Sequence, residues 1–334
     1  MSGTMKILAS AAVVILVTIA GLWYGGKNND MLRGIKLAML LPGHRAALLS
    51  QCSSMPAPSS ANAGSLPINV THWGETGAGM LVIHGGVQGS LGGGPSTFAK
   101  QEVLSRQGWR MMLPERPGFG KSPSRGADDM EGDAVWISEM LDGVVLVGHS
   151  FGGAEALLAA ARRPDGVRAL IMVEPALHAL LPRSSVLASK EDARQDFLKF
   201  GEASLASRTP AEYGLVFGRS LGEGTVGAAL ENDANKAASL GCALLRARMA
   251  SPEALRAAAE TVARAKIPVL TISGGWSPTF DAVSQLGAEL TRGKHVIVQS
   301  RNHFPQLENP DVFNNVVSDF ANKEARKPGA LDRF

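Results

Sequence analysis

The chain has 334 residues, 45% of them hydrophobic, and a formal net charge of +3. That length and apolar content support one large core or two modest ones. A charge so small and evenly spread argues against nucleic acid as a partner, and the two cysteines, Cys52 and Cys242, make neither a metal cluster nor a disulfide framework. Each reads as a small apolar residue.

From Ile7 to Gly26 no residue is charged. The run is long enough to cross a bilayer as a helix, with Trp23 and Tyr24 where an interfacial belt would lie. The length favours a retained single-pass anchor over residues 1–26. The alternative is a cleaved signal segment, with Lys6 ahead of the apolar run and Thr18-Ile19-Ala20 as the cleavage site. Lys27, Arg33, Lys36 and Arg45 follow the run, so the positive-inside bias puts the C-terminal part on the cytoplasmic side. The signal reading puts it outside. Residues 27–65 read as a linker: a short mixed segment that lies on the membrane surface or packs on the domain, then a Ser/Ala/Pro/Gly-rich stretch with little to bury.

Globular structure is expected from residue 66. Ile68–Trp73 alternates like a strand, and Met80–Ile83 is a buried strand ending in His84-Gly85-Gly86. Trp109–Leu113 is the next strand, and a helix is expected around Asp133–Leu141. Val144–Val147 is an apolar run that reads as a fully buried strand. After it comes Gly148-His149-Ser150-Phe151-Gly152-Gly153, and then Ala154–Arg162, rich in helix formers. A serine therefore sits at a strand-to-helix turn with glycines two positions away on either side. The small neighbours let the chain fold back closely, and the hydroxyl stands clear of the sheet above a helix N-terminus that favours negative charge. That is a nucleophile elbow. Arg168–Val173, closed by Glu174-Pro175, Pro268–Ser273 and His295–Val298 supply three more strands, and a final helix spans about Asp311–Asn322. Strands alternating with helices predict an α/β fold, a mostly parallel central sheet with helices on both faces. Residues 177–266 show helical patterns and no strand, over a span far longer than a bare connection needs.

With the elbow in this setting, residues 66–325 resemble the α/β-hydrolase superfamily. The resemblance implies a core in two parts, 66–176 and 267–325, around a helical cap at 177–266 that closes the pocket and sets substrate choice; 326–334 would be a tail. It implies Ser150 as the nucleophile. Ser300-Arg301-Asn302-His303-Phe304-Pro305, followed by Glu308-Asn309-Pro310 and Phe313, looks like the segment that carries the catalytic histidine, His303. His84-Gly85-Gly86-Val87 looks like the oxyanion-hole segment. The amide of Gly86, with Val87 as the fallback, would pair with that of Phe151, and His84 would be structural. Glu115–Ser122 is similar to the loop after the fourth strand of these enzymes, with Glu115 where aspartate is usual, and a structural role is expected. Its Gly118-Phe119-Gly120-Lys121-Ser122 is not a phosphate-binding loop, because Glu115 stands where that motif needs glycine.

A serine hydroxyl needs an imidazole to take its proton. Among the seven histidines, His44 precedes the domain, His72 and His295 lie within strands, His178 opens the cap, and His149 is expected to point away from the serine. His303 stands in the loop after the last strand. The acid departs from the family pattern: Ser277 occupies the place where most members carry aspartate, and a serine cannot stabilise an imidazolium as a carboxylate does. Glu174, at the end of the preceding strand, holds the position that some relatives use instead and is the first choice. Asp281, one helical turn beyond Ser277, is the alternative, though it also suits the opening of a helix.

The expected activity is hydrolysis of carboxylic esters through an acyl-enzyme, on a small-molecule substrate and without a metal or organic cofactor. Thioesterase, lactonase, C–C hydrolase and cofactor-free haloperoxidase activities use the same machinery. The missing aspartate keeps open a catalytically weak binding or scaffold role on the same fold.

Overall fold

The computed structural model describes residues 41–53, 67–90, 93–224 and 226–325. The apolar runs of the sequence become the strands of a seven-stranded sheet. These are β1 (Val70–Trp73), β2 (Ala78–Ile83), β3 (Trp109–Pro114), β4 (Val144–His149), β5 (Val167–Val173), β6 (Val269–Ser273) and β7 (Lys294–Ile297). Their spatial order is β1-β3-β2-β4-β5-β6-β7. β1 runs antiparallel to β3, and every other pairing is parallel.

Alternation along the strands divides the core into two layers. Met80, Val82, Val145, Val147, Ile171 and Val173 face one layer with Phe313 and Val317. Leu81, Ile83, Leu146, Leu170 and Met172 face the other with Leu157. Both faces are covered, which is why the central strands read as unbroken apolar runs rather than alternating ones. The covering helices are α1 (Met130–Glu139), α2 (Phe151–Arg162), α6 (Pro252–Arg264), α7 (Pro278–Thr291) and α8 (Pro310–Ala325). α6 buries Leu255, Ala258, Ala259 and Val262 on one face and packs on α2 and α7, so it belongs to this layer.

From β2 the chain moves outward to β3 and then returns to β4 on the other side of β2. The strand order reverses there, and the carboxyl ends of β2 and β4 lie side by side. In open α/β sheets such a reversal leaves a crevice above the strand ends, where ligands bind.

Between β5 and β6 lie α3 (Glu191–Ala206), α4 (Pro210–Arg219) and α5 (Ala234–Arg246), with shorter helical turns around them. Residues 41–49, in the stretch that composition marks as linker, are helical and fastened to the segment between β5 and β6. Arg45 donates to the carbonyls of Leu245 (2.7 Å) and Ala247 (3.3 Å) at the end of α5, and His44 Nε2 lies 3.1 Å from the Ser204 carbonyl. Cys52 and Cys242, read from sequence as unpaired, form a disulfide across 190 residues. The apolar run 7–26, with the anchor and cleavage expectations, lies outside the described residues. Among the described residues no helix is long and apolar enough to cross a membrane.

Candidate active site

Ser150 follows β4 and caps α2 with φ 55° and ψ −120°, a conformation that side-chain-bearing residues rarely adopt. The turn is this tight because its flanking residues are glycines. A Cβ at Gly148 would lie 2.3 Å from the Gly152 carbonyl oxygen, and one at Gly152 would lie 2.4 Å from that of His84. The backbone of Ser150 is held from both sides, its amide donating to Val173 (2.9 Å) and its carbonyl accepting from Gly153 (2.9 Å) and Ala176 (2.8 Å). Its hydroxyl does not cap the helix.

Glu174 directly follows β5 and also has a positive φ, 41°. Its carboxyl is fully buried and takes three N–H groups: Gly274 at 2.7 Å, Trp276 Nε1 at 2.9 Å and His303 Nδ1 at 2.6 Å. Burial raises this carboxyl's pKa, to about 8 even with the Gly274 and Trp276 donors lowering it. Three donors at close range favour the ionised form.

His303 is buried as well, and burial pushes its imidazole down, to about 3. The ring is therefore neutral at ordinary pH, and its Nδ1 lies against the Glu174 carboxyl. Phe280 packs at 4.5 Å from the ring and Phe304 at 5.6 Å. The loop that carries it is tied to the segment after α4: the His303 amide donates to Leu221 (2.9 Å), and Asn302 Nδ2 donates to Glu223 (2.9 Å).

Asp281 sits elsewhere. It accepts from the Gly275 amide at 3.1 Å, and among the described residues no hydrogen bond joins it to His303. Ser277 caps α7 and donates to Asp196 of helix α3 at 3.0 Å. At the place where most of the superfamily carries an acid, this side chain joins α7 to α3.

The Ser150 hydroxyl makes no hydrogen bond to His303 among the described residues. The His149 ring lies 4.7 Å from the His303 ring and places Nε2 2.8 Å from the His303 carbonyl. At the end of β2, Gly86 has φ 83°. Neither its amide nor that of Phe151 donates to a backbone acceptor outside regular elements among the described residues. His84 is fully buried and its ring nitrogens meet only backbone, Nε2 taking the Arg116 amide (2.9 Å) and Nδ1 lying 2.9 Å from the Gly85 carbonyl. Glu115 accepts from Asn69 and the Lys121 amide, both at 2.8 Å, which fixes its loop.

Two residues of the site, Trp276 and Arg116, are not singled out by the sequence. Trp276 lies within the Gly274–Asp281 segment, and an indole N–H three residues after the end of β6 is the available signal. No group of three or more His, Cys, Asp or Glu side chains that could hold a metal occurs among the described residues.

Comparison with known proteins fits this geometry. A family profile described as alpha/beta hydrolase fold matches residues 80–310. A lipase of Mycobacterium tuberculosis, LipV, is 35% identical over 103 residues, 29% of this chain and 40% of that protein. A 2-hydroxy-6-oxo-6-phenylhexa-2,4-dienoate hydrolase of Burkholderia cepacia is 32% identical over 113 residues, 31% of this chain and 39% of that one. The matched stretch thus spans about two fifths of these curated relatives. Among solved structures, a bacterial membrane phospholipase A superposes with a TM-score of 0.57 at 20% identity, over 97% of this chain and 100% of that one. With its mostly parallel sheet, the serine turn after β4 and the family match across residues 80–310, the chain belongs to the alpha/beta hydrolase fold family.

Proposed function

We propose that this hydrolase cleaves carboxylic esters through an acyl-enzyme on Ser150. The observation that carries the reading is the buried 2.6 Å contact between His303 Nδ1 and Glu174, next to an elbow serine whose hydroxyl is not used as a helix cap. Nδ1 bonded to the carboxylate leaves Nε2 as the basic nitrogen. It takes the Ser150 proton as the hydroxyl attacks the carbonyl carbon, and Glu174 steadies the imidazolium that forms. The resting hydroxyl closes on Nε2 when substrate binds, since catalytic hydrogen bonds tighten in the bound complex. The Gly86 and Phe151 amides receive the oxygen that turns negative. His303 then protonates the leaving alcohol, and water, deprotonated by the same nitrogen, releases the acid. Glu174 fills the role of acid and Asp281 does not.

The lipase and the phospholipase among the similar proteins favour an ester as the scissile bond. A panel of p-nitrophenyl esters graded by acyl length tests this. Turnover that disappears in Ser150→Ala supports the reading; turnover retained in that variant rejects it, and no turnover by folded wild-type protein favours a binding role.

The run 7–26 serves, in this proposal, as an anchor or export segment that places the folded part outside the cytosol. The support is the Cys52–Cys242 disulfide. Such bonds persist in oxidising compartments and are rare where thiols are kept reduced. This reverses the side expected from the positive charges after the run.

A further inference from the structure

Arg116 carries a charge into the core with no access to solvent. Its Nε lies 2.9 Å from the Glu155 carboxyl, and Nη2 lies 3.1 Å from Asp128 and 3.3 Å from Asp133. The three carboxyls come from α2, the loop before α1 and α1 itself. A lone buried ion pair contributes little to stability on balance, and a well-packed apolar residue often serves as well. Arg116 has two further contacts that an apolar residue could not reproduce. Nη1 donates to the Gly86 carbonyl at 2.7 Å, and the guanidinium carbon sits 4.4 Å from the centre of the Phe151 ring. The side chain therefore touches both residues whose amides face the proposed oxyanion.

The glycine turn needs such support. Gly86 has a positive φ, and peptides flanking glycine rotate at little steric cost. In a trans peptide the C=O and N–H point in opposite directions, so holding one aims the other. The Gly85 carbonyl shares a peptide with the Gly86 amide, and the Gly86 carbonyl shares one with the Val87 amide. His84 Nε2 accepts from the Arg116 amide, so the ring proton sits on Nδ1 and is donated to the Gly85 carbonyl at 2.9 Å. Arg116 holds the Gly86 carbonyl. Two successive peptides are pinned, one by each side chain, and the Arg116 backbone fixes the His84 ring.

We propose that His84 and Arg116 form a two-point lock on the peptides either side of Gly86, His84 aiming the Gly86 amide and Arg116 fixing the peptide that follows it, which makes both of them positioning residues for the ester reaction. The inference rests on the proposed Ser150 mechanism. Neither side chain touches substrate. Loosening the lock raises the barrier without weakening ground-state binding.

The test uses Arg116→Lys, which keeps the charge but not the fork, and His84→Phe, which keeps the ring volume and loses both ring nitrogens. A Phe119 ring already packs edge-on to His84 at 4.6 Å, so an aromatic side chain suits the site. Active sites are first counted by titration with a fluorophosphonate, and kcat is expressed per titrated site. Complete loss of an oxyanion donor costs about 100- to 1,000-fold, so a misaimed one is expected to cost about 10- to 100-fold in kcat at unchanged KM. Affinity for an alkyl boronic acid, whose adduct is tetrahedral, should fall in parallel. A purely structural role would lower the melting temperature and the titrated fraction but leave kcat per site and boronate affinity within twofold of wild type. That result in either folded variant overturns the proposal. Ester turnover surviving in Ser150→Ala would instead overturn the mechanism on which the lock depends, so the two failures are separable.

Discussion

Glu174 and His303 stand 129 residues apart in the chain, and their side chains meet at 2.6 Å in the interior. The glutamate comes from the end of β5, the histidine from the loop after β7, and the sheet brings both beside the elbow. The indole of Trp276 and the amide of Gly274 complete the carboxyl's partners, so its direction is fixed before substrate arrives.

Glu174→Gln keeps the shape and removes the charge that steadies the imidazolium. A fall in kcat of about 1,000-fold or more is expected with little change in KM, by analogy with neutralising the acid of a serine triad. Asp281→Asn should stay within twofold of wild type. The reverse ranking, measured by steady-state kinetics on folded protein, would move the acid to Asp281.

Trp276→Phe removes one N–H from the Glu174 carboxyl and leaves the ring to pack on Phe280, 5.2 Å away. The buried carboxylate loses a donor that favours its charge, so its pKa moves further up. A loss of about 10-fold in kcat is expected, since one charge-assisted hydrogen bond is worth about 1.5–3 kcal/mol and the remaining donors offset part of it. No change in kcat would show that the indole is only packing.

The acid limb of the pH profile follows from His303. Burial lowers its pKa from 6.5 to about 3, so the neutral base persists below the ordinary histidine range. The limb of kcat/KM is expected to have its midpoint below 6.5. The same shift contributes stability that is fully present above 6.5 and lost as pH falls towards 3. An acid limb centred near 8 would instead report ionisation of the Glu174 carboxyl, which burial raises to about 8.

The Cys52–Cys242 bond joins the segment that precedes the sheet to helix α5. Exported protein should show no maleimide-reactive thiol until it is reduced and unfolded. Protein kept in a reducing cytosol should show both. Cys242→Ser is expected to lower stability by about 2–5 kcal/mol, the usual cost of removing a native disulfide. Two reactive thiols in the exported, folded protein would remove the support for an extracytosolic location.

The elbow was legible because its constraint is local: Gly148, Ser150 and Gly152 state it within five positions. The strands were legible because both layers of the core draw on every central strand. Choosing between Glu174 and Asp281 was harder, because it depends on which strand end the His303 loop meets. Ser277 kept a capping role while giving up the acid, and only its contact with Asp196 shows why a polar residue remains there. Arg116 could not be read at all. In sequence it is a charged residue in a Gly/Pro turn, which normally means solvent, and its burial depends on carboxyls from three other positions. The disulfide was equally hidden, since two cysteines 190 residues apart carry no pairing signal in their spacing.

The central claim is that Ser150 is an activated nucleophile served by His303 and Glu174. Mass spectrometry of the protein after reaction with a fluorophosphonate tests it most directly. The account predicts a single adduct on the peptide that holds Ser150, absent in Ser150→Ala and formed much more slowly in Glu174→Gln and His303→Ala. An adduct on another residue, or labelling of Ser150 at an unchanged rate in the histidine and glutamate variants, would contradict it.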